Sequence, residues 1–469
     1  MTDLAFLPAT EQARLVRARD VSPVELVETY LQRIEKIDPT LNSFVTVTAE
    51  AALDAARAAE QVVADGGELP PFHGVPITIK DLYALAGVRM TASTKALAEH
   101  VPEHDAATVR RIKAAGFIPL GKSNTPEFGT IPATESELNG ACRNPWDTDR
   151  TPGGSSGGAA AGVAAGLTPI AQGSDGGGSI RIPASCCGLF GLKPARGRIS
   201  HGPFFGESLF GLSTHGPIAR TVADAAAFLD VVQGYETGDP YWLQAPERPF
   251  VDEVGKDPGR LRIAFTLKNA LDTPVDPACE AAVRDAAQLI ESLGHSVEEA
   301  DPAVEDPNAS SYFVTLWSMI AVSYGDISPE QMEPLNRMLT ELGMSTNAFD
   351  LIRAKNGMHR LAREVVRFWD DFDLLLTPTL ALPPLPIGWI FEEEDPWAQF
   401  ARSGLFAPFT PFVNLTGQPA VSVPLYWSED GLPIGTQLVG RPADEATLIR
   451  VSAQLEAARP WAERRPPLS

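Results

Sequence analysis

Residues 151–174 carry no charged side chain and consist mostly of Gly, Ala, Ser and Thr, and a second glycine-rich motif overlaps their end. The run reads Thr151-Pro152-Gly153-Gly154-Ser155-Ser156-Gly157-Gly158, then Gly173-Ser174-Asp175-Gly176-Gly177-Gly178-Ser179-Ile180-Arg181. A flexible Gly/Ser linker has no ordered apolar positions, whereas Val163, Leu167, Pro169 and Ile170 punctuate this one. It is also too weakly apolar to insert well into a membrane. Residues 374–391 and 403–428 are uncharged too. Pro378, Pro383, Pro384 and Pro386 interrupt the first, and Pro408, Pro411, Pro419 and Pro424 the second. Repeated proline breaks a helix, so neither reads as a span. All three stretches belong inside a large globule.

The chain is long enough to supply one. Its 469 residues suffice to bury roughly three-quarters of the unfolded surface without disulfides or metals. With 44% apolar residues, 21% charged residues and no long polar tract, intrinsic disorder is excluded. A formal net charge of −22 argues against nucleic acid and anionic membrane partners, whose phosphates would be repelled. The four cysteines, Cys142, Cys186, Cys187 and Cys279, have no CxxC spacing and read as small buried residues in a reducing compartment. The first twenty residues lack a basic start followed by an apolar core, so a cytoplasmic location is expected.

Alternating helix and strand signals run along the chain. Ser22-Pro23-Val24-Glu25 is a capping box with Pro at the first helical position, which predicts a helix to about Ile37. Further helices are expected over 49–65, 108–115, 277–293 and 445–458, with helical patterns recurring over 312–371. Short strands are expected over 74–81, 117–120 and 261–265, and strands and turns over 410–440. This alternation implies an α/β sheet with helical layers. No internal repeat or long linker divides it. The acidic run 392–395 reads as a solvated loop.

Glycines let a backbone turn sharply, and successive N–H groups in such turns converge on an anion. A serine that ends three glycines and opens a helix, as Ser179 does, therefore has its hydroxyl beside a cluster of donors. Acyl transfer needs that pairing of nucleophile and oxyanion hole. Rival motifs fit less well. The Gly-Lys-Ser/Thr ending of a phosphate-binding loop is absent. Gly154-Ser155-Ser156-Gly157-Gly158 matches the GxSxG elbow of α/β-hydrolases with Ser156 as nucleophile, but residues 147–152 read as a turn where an elbow requires a strand. That reading also needs one of seven histidines, His73, His100, His104, His201, His215, His295 or His359, as base, and none has the expected setting. His100 and His104 stand four apart with Pro102 between them, which disfavours a metal pair.

These residues resemble the amidase-signature hydrolases over almost the whole chain. The resemblance rests on Gly153 to Gly158, on the Gly173 to Arg181 motif, and on Gly188-Leu189-Phe190-Gly191-Leu192-Lys193-Pro194. Upstream it includes Gly74-Val75-Pro76 with Lys80-Asp81. Downstream it includes Asn414, Gly417, Pro419-Ala420, Ser422, Pro424, Gly431-Leu432-Pro433, Gly435, Gln437 and Gly440. The family's fold would be a single large α/β/α domain around a mixed twisted sheet, with a helical segment over about 9–65 and a signature core over about 70–220. Its Ser–cisSer–Lys triad falls on Ser179, Ser155 and Lys80, with Ser155 following a non-proline cis peptide bond. Backbone N–H groups of Gly176, Gly177, Gly178 and Ser179 would form the oxyanion hole. Ser156, Asp175 and Arg181 would brace the loop.

The resemblance implies no metal or cofactor. It implies a small amide, anilide, carbamate or ester substrate, as in bacterial general amidases and cyclic-amide (nylon-oligomer) hydrolases, with a homodimer as one expected assembly. The physical demand falls on the lysine. At its ordinary pKa only about 1 in 2,500 lysines is neutral at pH 7, so burial must bring Lys80 close to neutrality at a cost of roughly 4 kcal/mol. Strand neighbours Val75, Ile77 and Ile79 are consistent with that apolar setting, although strand alternation points some of them elsewhere.

Two positions depart from the family pattern: Gly176 replaces a β-branched residue, which predicts a more flexible loop, and Cys142 replaces threonine. Ile182 stands where the family's glutamine transamidase subunit usually has Gln, favouring a stand-alone hydrolase. The alternatives are an esterase using Ser156 and a histidine, a glutamine amidotransferase-type subunit, and a catalytically silent family member. Phe204, Phe205, Phe210, Trp317, Trp389 and Phe391 are candidates for an apolar pocket, though as aromatics they equally suit plain core.

Overall fold

The computed structural model describes residues 3–302, 306–325 and 327–469. Among them eleven strands form one sheet. In chain order they are β1 (Phe44–Val47), β2 (Pro76–Lys80), β3 (Ile118–Ser123), β4 (Ile170–Asp175), β5 (Phe190–Lys193), β6 (Thr214–Ala219), β7 (Arg262–Phe265), β8 (Ser296–Glu299), β9 (Leu374–Pro378), β10 (Ala420–Trp427) and β11 (Pro433–Val439). Across the sheet the order is β1-β3-β2-β4-β6-β5-β10-β11-β9-β7-β8. The β2–β3, β2–β4, β7–β8 and β7–β9 pairs are parallel and the others antiparallel. The sheet is therefore mixed, as expected.

Side chains alternate across a strand, and here the alternation separates two cores. Leu374 and Leu376 join the cluster formed with the helices Ala107–Ala114, Val222–Val232, Pro277–Ser292 and Glu445–Ala458. Leu375, between them, packs on the opposite side with Leu316, Leu339 and Leu361 of the helices Ala309–Trp317, Pro334–Ser345 and Ala348–Val365. The helices Gly157–Ala164 and Arg181–Cys187 form a third cluster with Ala171 of β4. This is a three-layer α/β/α domain.

Several local expectations are corrected. The helix that begins after Ser22 runs to Leu41, through Pro39. Proline removes one N–H whose partner would be the Glu35 carbonyl, and Glu35 is exposed, so water can satisfy that carbonyl while buried Leu41 anchors the last turn. The Ser22 hydroxyl accepts from Val24 N–H at 3.0 Å, one residue short of the capping-box position. β1 interrupts the N-terminal helical segment. The stretch 410–440 begins with a short helix, Pro411–Thr416, closed by Gly417 in the left-handed conformation. Residue 326, inside the region of recurring helical patterns, lies outside the described residues.

The glycine-rich run threads between elements that leave it no room. Helix Gly157–Ala164 is buried at every residue. A Cβ on Gly158 would stand 2.4 Å from the Asn124 nitrogen and 2.5 Å from the Ser43 oxygen, and one on Gly154 would stand 2.7 Å from the Ala133 backbone. These are backbone neighbours, so no side-chain adjustment relieves the contact. Gly158→Ala should destabilise the fold by about 1–3 kcal/mol, read as a lowered thermal midpoint.

Candidate active site

β2 and β4 lie side by side, with Ile79 opposite Gln172, and their C-terminal ends carry the site. Lys80 is the last residue of β2 and is fully buried. Val75, Ile77 and Ile79 belong to the core on the other face of the sheet. None of the three lines the lysine's surroundings, because strand alternation, expected to turn some of them away, sends Lys80 to the opposite side with Thr78. Its neighbours there are hydroxyl groups. Lys80 Nζ donates to Ser155 Oγ at 2.8 Å and to Ser174 Oγ at 3.2 Å. Burial pushes its pKa down to about 7, although the Asp175 charge pulls the other way.

The peptide bond Gly154–Ser155 is cis. Gly129 lies so close to Ser155 that a Cβ there would be 3.0 Å from its Oγ. Ser179 sits at the end of the glycine loop, just before the helix Arg181–Cys187. Its carbonyl accepts from Ser156 N–H at 3.3 Å, and its hydroxyl, on the wall of two cavities, bonds to none of the described residues. Gly178 has φ +131°, and a Cβ on it would be 2.2 Å from Thr410 Oγ1. Thr410 in turn donates to the Gly177 carbonyl at 2.6 Å.

Asp175 and Arg181 hold the loop from behind. Both are wholly buried, 2.7 Å apart. Asp175 Oδ1 accepts from Gly178 N–H at 2.8 Å, and Oδ2 accepts from Ile180 N–H at 3.2 Å and Arg181 Nε at 2.9 Å. Arg181 also donates to the Thr410 carbonyl at 3.1 Å, Gln437 Oε1 at 2.6 Å and Asn414 Oδ1 at 2.7 Å. Burial alone would raise the Asp175 pKa, but the Arg181 charge and hydrogen bonds outweigh it and hold the carboxyl well below its usual range. The ion pair also corrects the expected donor cradle. Gly178 N–H, one of the four expected donors, is spent on Asp175.

Ser156 is buried, donates to the Ser174 carbonyl at 3.2 Å and accepts from Ser174 N–H at 3.3 Å. No strand precedes it and no histidine bonds to it, so the elbow reading lacks its base. Sequence reasoning did not single out Ser174 or Gln172. Gln172 accepts from Lys80 N–H at 3.0 Å and contacts His215 Nδ1 at 3.2 Å through its amide nitrogen. The available signal was two polar residues at alternating positions of a strand buried throughout. Asp81 pairs with Lys122 at 3.2 Å, both fully buried, and fixes the ends of β2 and β3. All four cysteines are free and buried. Among the described residues no group of three His, Cys, Asp or Glu is placed to hold a metal, and no helix is long and apolar enough to cross a membrane.

Two cavities reach Ser179. One, of about 430 Å³, is walled by Ile131, Ile182, Phe313, Leu361, Phe400 and Phe412 among others. The other, of about 410 Å³, is walled by Tyr83, Ser155, Ser174, His201, His215 and Tyr324 among others, with Phe204 and Phe205 toward its rim. Trp317 borders both. Phe210, Trp389 and Phe391 line neither cavity and pack against the core.

The three-layer fold and the braced glycine loop beside a buried lysine define an enzyme architecture, and comparison identifies which one. Residues 25–449 match the family model for amidases. A 6-aminohexanoate-cyclic-dimer hydrolase from Pseudomonas sp. (strain NK87) is 38% identical over 98% of this chain and 96% of its own. An acylamidase from Rhodococcus erythropolis is 36% identical over 99% and 98%. A solved structure of a 6-aminohexanoate cyclic dimer hydrolase complexed with substrate superposes with a TM-score of 0.93 at 36% identity, covering 99% of each chain. The chain belongs to the amidase family. It is a hydrolase of carbon–nitrogen bonds in amides.

Removing one partner of a buried ion pair costs about 3–5 kcal/mol, so Arg181→Met should lower stability by that order. Asp175 has a depressed pKa in the folded state, so the loss should be full above the unfolded carboxylate pKa of about 4 and shrink as the pH falls below it. Denaturant titrations of both proteins at several pH values check this.

Proposed function

We propose that this protein hydrolyses small amides through an acyl-enzyme on Ser179, with Ser155 and Lys80 relaying the proton. The observation that carries the reading is the buried Lys80 Nζ 2.8 Å from Ser155 Oγ, with Ser155 and Ser179 on the wall of one cavity. When Lys80 is neutral, the hydrogen bond reverses and the Ser155 hydroxyl donates to the Nζ lone pair. As Ser179 Oγ attacks the substrate carbonyl carbon, its proton passes to Ser155 and the Ser155 proton passes to Lys80. The oxyanion is met by the N–H groups of Gly176, Gly177 and Ser179. Lys80 then returns its proton through Ser155 to the amine nitrogen as the C–N bond breaks. Water repeats the sequence to release the acid. Ser155 and Ser179 must tighten to hydrogen-bond distance for this relay, a closure common when substrate enters a ligand-free site.

The mostly apolar walls of the cavity lined by Ile131, Leu361 and Phe400 support a substrate with an alkyl or aryl acyl group. Carbamates and esters present a carbonyl to the same serine and belong to the proposed range. Ile182 forms part of that apolar wall, which supports a stand-alone hydrolase over an amidotransferase subunit. Four unpaired, buried thiols support a reducing, cytoplasmic setting.

A fluorophosphonate probe should label Ser179, located by peptide mass spectrometry, and the label should vanish in Lys80→Ala. Label on Ser156 would move the case to the esterase reading. Ser179→Ala, Ser155→Ala and Lys80→Ala should each reduce kcat by about a thousandfold or more. With the Lys80 pKa near 7, the base is protonated below that value and free above it. Activity should therefore climb from pH 6 to 8 and level off beyond, and a flat kcat/KM profile across that window would exclude Lys80 as the base.

A further inference from the structure

Among the described residues, Ser179 and Trp317 are the two that border both cavities. The indole is fixed rather than free to swing. Its Nε1–H donates to the Thr130 carbonyl at 3.1 Å, and the ring stacks on Phe313 with centroids 4.9 Å apart. It also lies flush against the glycine loop, where a Cβ on Gly176 or on Gly177 would each come within 3.3 Å of it. The φ of Gly176 is not positive, so what tells against a side chain there is the indole, which would have to give by a few tenths of an ångström. Gly176 and Trp317 together build a partition that ends at the nucleophile.

The two compartments differ in one chemical respect. Ser155 and Ser174, the hydroxyl partners of Lys80, open only into the cavity with Tyr83, His201 and His215. Gly177, with the apolar walls of Ile131, Leu361 and Phe400, opens only into the other. A departing amine must take its proton from Ser155, so its nitrogen has to lie on the Ser155 side. The remaining substituent of the tetrahedral carbon then points across the partition.

We propose that Trp317 divides the substrate: the acyl group occupies the apolar cavity walled by Leu361 and Phe400, and the leaving amine occupies the cavity walled by Tyr83, His201 and His215. This assignment rests on the proton relay described above. It makes the protein selective for amides whose acyl part is apolar. The amine side is lined by phenol, imidazole and hydroxyl groups that suit an aromatic or polar amine. Once the amine has left, the same cavity admits the water that Ser155 activates.

The test separates the two substituents. Ala401 and Ser323 are exposed wall residues, the first of the apolar cavity and the second of the histidine cavity, so a larger side chain at either leaves the core untouched. Two ratios of kcat/KM are measured in the full-length enzyme: octanoyl over acetyl anilide, and the naphthylamide over the simple amide of acetic acid. Ala401→Trp should lower the acyl ratio at least about tenfold and leave the amine ratio within about twofold, and Ser323→Trp should do the reverse. Exchanged effects, or no change in either ratio, would overturn the assignment. Ser179→Ala is assayed on the same substrates. Retained turnover in that variant sinks the relay and this proposal with it, whereas a dead variant beside exchanged ratios removes the cavity assignment alone.

Discussion

The Asp175–Arg181 ion pair is the contact on which the rest of the site depends. It sits where β4 ends and the following helix begins, and it replaces water around two full charges with a closed set of partners. Arg181 has five N–H donors, and they are met by Asp175, Asn414, Gln437 and the Thr410 carbonyl. Asn414 completes the closure by donating to both the carboxylate and the backbone carbonyl of Asp175. A buried pair of this kind is justified less by net stability than by the geometry it imposes. Here it turns the Gly178 N–H inward, onto Asp175 Oδ1.

Lys80 depends on the opposite arrangement. Among the described residues its ammonium has no carboxylate partner, only two serine hydroxyls, and a charge so placed is poorly compensated. The protein therefore holds one charged pair fully satisfied beside one lysine held near neutrality. The Asp175 charge that braces the loop works against that neutrality. Arg181 limits the effect by occupying the carboxylate.

Much of this was legible beforehand because it is written in local patterns. Ser155, Ser179 and Lys80 stand in short, distinctive motifs, and the helices Ala49–Ala64, Pro277–Ser292 and Glu445–Ala458 lie within a residue of their expected ends. The errors share a cause. Val75, Ile77 and Ile79 are apolar neighbours of Lys80 in sequence but face away from it, because side-chain direction reverses at each strand residue. Gln172 carries no motif of its own, and Ser174 stands in the Gly173 to Arg181 motif without a distinct signal; both meet Lys80 because β2 lies beside β4.

What the sequence determined by itself is the set of groups available: a serine among glycines, a second serine, a lysine at a strand end, and an acidic chain. Local spacing suffices for that, since each motif spans a few residues. Tertiary structure decided what those groups can do together. Lys80 meets Ser155 across 75 residues of chain and Ser174 across 94, and Arg181 meets Gln437 across 256. Distances of that kind are set by sheet order and by packing against the helices, and no local pattern encodes them. The same holds for the partition at Ser179, which exists only because a tryptophan from a distant helix lies against two glycines.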